Sequence, residues 1–249
     1  MKTLVFVTTS LLITTLSANA QGFGGLTGKA RSLTGKNGGD SAAGDTAAVL
    51  SRGNALLGYV TAATDQGIIA VEKLIAIYPP EKVQAISEAA AKYNEIRSKT
   101  PDQNLDAEAI KVASQVAEEA AKLEGDWKGY KKEDALAVRQ ANARLGLVLL
   151  ADAQAGTQVP DTLKALQNTT HALQSDPMQA AKLNSALSMV SVLTAVAKEF
   201  PQQTRSFSTV RSLTKKIAEA ENFQLAKDPT PDQVRDKTTL SASTKVLSD

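Results

Sequence analysis

The chain has 249 residues, a formal net charge of +2, one histidine and no cysteine. Without cysteine there is no disulfide framework and no Cys–His dyad, and a lone histidine excludes a multi-histidine metal centre. A charge this close to neutral argues against a nucleic-acid binder, whose affinity rests on neutralising phosphates.

The first twenty residues have the layout of a secretory signal peptide. Lys2 supplies the positive start, residues 4–16 the apolar run, and Ala18-Asn19-Ala20 a small-residue cleavage site before Gln21. No cysteine follows that site, which excludes a lipoprotein. Export without disulfides fits a bacterial periplasm, with secretion beyond the outer membrane left open. Residues 21–44 are expected to be a flexible, Gly-rich leader. Its Gly28-Lys29 and Gly35-Lys36 pairs lack the earlier glycine of a phosphate loop, because Phe23 and Ala30 stand there. The dinucleotide fingerprint fails too, since Thr27 occupies its third glycine position. No cofactor is expected.

From 45 to 226 the periodicity is helical, and the composition is Ala-rich with only 4 % aromatic residues. The fold expected is all-α, an antiparallel-type bundle of six or seven helices. The first helix runs over 45–78, whole or broken near Asp65 to Gly67. Its seam includes Gly53, Ala63 and Gly67, small residues that let a neighbouring helix come close, and Pro79-Pro80 ends it. A helix over 81–99 follows. Thr100-Pro101-Asp102-Gln103 reads as a capping box opening a helix over 105–129, and the same TPDQ recurs at 230–233.

The next helix spans 132–155 and contains the apolar run 145–150, with a loop at 156–158 and a short helix from Val159 to Leu173. Asp176 and Pro177 then cap a helix over 178–200, which carries no charge from 183 to 197 and is expected to lie buried on all sides. Its length and its Ser, Thr and Asn content argue against a membrane span. Pro201 closes it, and the last strong helix covers 204–226. The tail, 227–249, is Ser/Thr-rich and expected to be loosely attached, with a frayed helix after Thr230.

No catalytic constellation is legible. His171 has no G-x-S-x-G partner motif, and the carboxylates at 118, 119, 124, 126, 133 and 134 alternate with lysines as a solvated helix face does. Catalytic, cofactor and metal residues are therefore expected to be absent. Two clusters are candidate interaction surfaces. One sets Trp127 and Tyr130 among Lys128, Lys131 and Lys132, and the other is the basic set Arg205, Arg211, Lys215 and Lys216. The expected function is an exported, non-enzymatic envelope protein acting through contacts with a protein partner, as a structural, adaptor or chaperone-like module. A lipid or small apolar ligand binder is the alternative, with peripheral membrane contact open to either. A cell-wall glycan hydrolase, using one of the 118–134 carboxylates, is the third class.

Overall fold

A computed structural model describes residues 40–100, 103–123, 127, 134–175 and 177–247. Among these there are six α-helices and no strand. They are α1 (Asp40–Ile75), α2 (Pro80–Lys99), α3 (Ala107–Ala121), α4 (Asp134–Gln174), α5 (Ala180–Ala220) and α6 (Lys237–Lys245), with 3-10 turns at Pro177–Gln179 and Pro231–Val234. The expected signal peptide and the leader as far as residue 39 lie outside the described residues. Residues 40–44, assigned to the leader, already belong to α1.

Three helices set the architecture. α1, α4 and α5 have 36, 41 and 41 residues, about 54–62 Å each. Their hydrogen bonds fix the directions. Arg144 Nη1 donates to Gln66 Oε1 and Tyr59 Oη to Gln154 Oε1, so α4 runs antiparallel to α1. Thr204 Oγ1 donates to Asp152 and Thr214 Oγ1 to Asn142, so α5 runs antiparallel to α4. Each long helix buries a seam with steps of three and four. On α5 it is Ala186, Met189, Leu193, Val196, Phe200, Gln203, Phe207, Val210, Thr214 and Ile217. On α4 it is Val138, Ala141, Leu145, Val148, Asp152, Ala155, Val159, Thr162, Leu166 and Leu173. A seven-residue repeat of this kind keeps one face of each helix on its neighbours along the whole length.

The small seam residues of α1 work as their positions suggest. A methyl group on Gly53 would meet Met189 Sδ at 2.9 Å, and one on Gly67 would fall on the Phe207 ring. α1 is one unbroken helix, and Tyr78 is buried in the turn before Pro79-Pro80.

Four expectations change. First, the loop expected at 156–158 and the stop expected at Pro201 are absent, because α4 passes through Pro160 and α5 through Pro201. A proline inside a helix removes one hydrogen bond and costs about 3 kcal/mol. Here both rings are exposed, so the freed carbonyls of Gly156 and Ala197 sit on water-facing turns while the buried seams continue beneath. Second, α3 begins at Ala107, with the Asp106 carboxylate accepting from Ala109 N–H at 2.8 Å. Thr100 is the C-cap of α2 instead of an N-cap.

Third, residues 178–200 are not enclosed. In the most apolar 18-residue window of α5 only 28 % is buried. Asn184, Ser185, Ser188, Ser191 and Thr194 face outward, since lack of charge is not the same as burial. The most enclosed stretch is 141–148 of α4, where every residue is buried. Fourth, the tail is docked. Val234 and Leu240 are 1 % and 0 % exposed, and the Tyr59 hydroxyl donates to Val234 O at 2.5 Å. Asp236 caps α6 by accepting from Thr239 N–H at 2.8 Å.

Burial divides the molecule along its length. The core holds the C-terminal half of α1, the first half of α4 and the second half of α5, with α2, α3 and α6 around them. The N-terminal half of α1, α4 beyond Gly156 and α5 before Phe200 form a thinner three-helix arm, where most positions between seam residues are exposed.

Candidate interaction surfaces

The outer face of the arm is the first surface. Between Lys182 and Lys198 α5 has no charged residue, and its exposed positions are Asn184, Ser185, Leu187, Ser188, Ser191, Thr194 and Ala197. Leu187 is 45 % exposed, with Leu183, Val190 and Ala195 half-buried beside it. By length and composition α5 is also long and apolar enough to cross a membrane, so as one 41-residue helix it escapes the objection of shortness. At the hairpin tip Met178 is 93 % exposed.

The second surface is at the opposite end of α5, where Trp127 of one sequence cluster meets the turn after the helix and Lys215 of the other borders a groove. α5 ends in a turn with Asn222 at φ 54° and Phe223 N–H donating back to Ala218 O at 3.0 Å. Asparagine tolerates this left-handed conformation better than most residues. The turn presents Glu221 to Trp127, whose indole N–H donates to Glu221 Oε1 at 2.8 Å. Trp127 is half-buried and packs against the core. Lys128, Tyr130, Lys131 and Lys132 lie outside the described residues. Arg139 holds the following segment, donating to Gln224 O at 2.8 Å with its guanidinium 5.4 Å from the Phe223 ring centre.

Of the basic set, Arg205, Lys215 and Lys216 are exposed. Arg205 and Lys216 are eleven residues apart, which returns the helix to the same face about 16 Å further on. Arg211 leaves this face: its side chain is 16 % exposed, paired with Asp228 and laid over Gly146. Lys215 borders an open groove of about 500 Å³ with Asn142, Glu219, Asn222, Phe223 and Asp228. A smaller pocket of about 270 Å³ lies over the Asp65–Arg97 ion pair, between α1, α2 and α6. There Arg97 grips Asp65 through Nε at 3.0 Å and Nη2 at 3.1 Å, and the buried Tyr93 hydroxyl donates to the same carboxylate at 2.6 Å. Burial and the adjacent carboxylate push the Tyr93 phenol far above its ordinary range. Both pockets have polar, charged rims. Among the described residues no group of three or more His, Asp or Glu stands where it could hold a metal.

A buried carboxylate between α4 and α5 was missed in the sequence. Asp152 is 3 % exposed, accepts one hydrogen bond, from Thr204 Oγ1 at 3.1 Å, and leaves Oδ1 without a partner. Burial raises its pKa to about 7. Gln203 beside Thr204 is fully buried, with neither amide atom partnered. Asp152 was discoverable, because it occupies a step of the Leu145, Val148, Ala155, Val159 seam.

Fold and surfaces together define an all-helical, cysteine-free bundle with a projecting three-helix arm. Glu119 of the 118–134 series is bonded to Lys122 on a solvated turn. Comparison with protein-family models, curated proteins and solved structures finds no match to this chain.

Proposed function

We propose that this is an exported, non-enzymatic protein of the bacterial cell envelope that works by binding another protein through the α5 face of its arm. One observation carries the reading. The most apolar window of the described residues is 28 % buried, so most of it, the uncharged outer face included, is left for something else to cover. The uncharged stripe from Asn184 to Ala197 gives a partner helix a surface without charge to desolvate. Leu187 and Val190 are the apolar contacts within it.

The test is recovery of the mature protein after crosslinking in intact cells, comparing the wild type with Leu187→Glu. The position is 45 % exposed, so the variant keeps the fold. A partner recovered with the wild type and lost with the variant supports the reading. A partner recovered equally with both removes the arm from the account. The same helix favours a second reading, contact with lipid, because its length and composition suit a bilayer. Flotation of the purified protein with phospholipid vesicles, abolished by Leu187→Glu, would put lipid in the partner's place.

A further inference from the structure

Asp152 stands where the arm leaves the body. Its hydrogen bond to Thr204 ties α4 to α5 at 3.1 Å. Pro201 lies just before Thr204 and Pro160 two turns beyond Asp152, so each helix has a weakened turn on the arm side of the tie. The carboxyl group has no cation partner among the described residues.

The groups facing it from each packed element are few. From α1 comes the Tyr59 phenol, raised above its ordinary range by burial and then by Asp152 and Asp236, so it stays neutral. On α5 the neighbour is the Thr204 hydroxyl, while Arg205 is exposed and Lys198 pairs with Glu199 at 3.7 Å. The 231–236 segment brings Asp236 and Arg235, which pair with each other at 3.9 Å, and Lys237 of α6 lies along Gly58. Nothing in this set compensates a negative charge on Asp152. An uncompensated buried carboxylate either keeps its proton or draws water between the helices that enclose it.

We propose that Asp152 is a proton-controlled clasp at the waist of the α4–α5 hairpin: as the neutral acid it holds the arm closed, and as the carboxylate it lets the arm open beyond Pro160 and Pro201. Burial places the change near neutral pH. With a midpoint of about 7, roughly a tenth of the molecules are ionised at pH 6 and roughly nine-tenths at pH 8. Because the carboxyl of an opened arm would ionise at a lower pH, each step in pH up to this midpoint favours opening.

Hydrogen exchange of the whole mature protein between pH 5.5 and 8.5, corrected for the intrinsic pH dependence, tests this. Peptides covering 156–200 should lose protection about tenfold between pH 6 and 8, while those from α3 stay constant. Asp152→Asn should abolish the pH dependence in the arm. Thr204→Val removes the hydrogen bond that favours the carboxylate, so it should move the midpoint upward. Arm protection that ignores pH in the wild type, or follows it unchanged in Asp152→Asn, overturns the proposal. Should Asp152→Asn fail to fold, carbon-13 titration of the wild-type carboxyl decides. A midpoint coinciding with that of the arm supports the clasp, and one at an ordinary aspartate value refutes it.

Discussion

Four glycines inside the long helices give a graded test of how these helices pack, because alanine improves each helix by about 1 kcal/mol wherever there is room for a methyl group. At Gly156 nothing lies within 4 Å of the added Cβ. Gly156→Ala should stabilise the protein by the full propensity gain, about 0.5–1 kcal/mol. At Gly53 the methyl meets the flexible ends of Met189, at 2.9 Å, and Leu166, at 3.2 Å. Those ends can shift, so gain and cost should nearly cancel. At Gly146 it meets the Pro229 ring and Arg211 Nη2, both at 2.9 Å, and the rigid ring belongs to a docked segment. At Gly67 it falls on Phe207, an aromatic ring that is 0 % exposed and has no free space to enter. Overpacking of this kind costs about 1–3 kcal/mol, which exceeds the propensity gain. Urea unfolding followed by circular dichroism should rank stability as Gly156→Ala above wild type, Gly53→Ala near it, and Gly146→Ala and Gly67→Ala below. A Gly67→Ala protein as stable as the wild type would refute the close approach of α1 and α5. A destabilised Gly156→Ala would refute the continuity of α4 through Pro160.

Three further outcomes follow from the same packing. Tyr93→Phe, which removes the buried hydroxyl from Asp65, should cost about 1 kcal/mol in urea unfolding, and Arg97→Ala more, because it strips Asp65 of its charge partner. The folded state holds the Asp152 proton up to about pH 7, whereas the unfolded chain releases it near 3.8. Its contribution to stability is therefore complete below the unfolded value and lost as pH rises through the folded one. Denaturation from pH 4 to 8 should show wild-type stability falling relative to Asp152→Asn, by at most about 1.4 kcal/mol per pH unit. Trp127→Phe removes the indole N–H that binds Glu221, and fluorescence-free circular dichroism melts should register about 1 kcal/mol or less, since Glu221 is exposed.

The helical class was legible because the apolar spacing of all the long segments has the right period, and the role of Gly53 and Gly67 followed from small residues on a seam. Continuity was not read, for a physical reason. A local rule, that proline stops a helix, was weighed above a longer one. On α5 the three-and-four spacing from Ala186 to Ile217 keeps its phase across Pro201, and on α4 the spacing from Val138 to Leu173 does so across Pro160. A seam in unbroken phase implies one helix, and a proline on the outer face disturbs only water-exposed carbonyls. These seams also contain Asp152 and Gln203, polar residues at buried steps that composition alone does not mark. Arg211 could not be placed from sequence, since its partner Asp228 comes from a returning segment whose path depends on the room left by Gly146. The burial of the tail likewise rests on Val234, Leu240 and Thr244, with Leu247 packed beside them, too sparse an apolar pattern to show a docked helix. The arm was misjudged most, because an uncharged helix was equated with a buried one.

The most direct measurement is photocrosslinking in intact cells with a photoreactive amino acid at Ser191, on the exposed face of α5, and a control at the exposed Lys164 of α4. The account predicts one protein adduct at Ser191 that disappears with Leu187→Glu and is absent from Lys164. Adducts with lipid alone, or none at Ser191 under conditions where Lys164 reacts, would contradict the claim that the arm binds a protein.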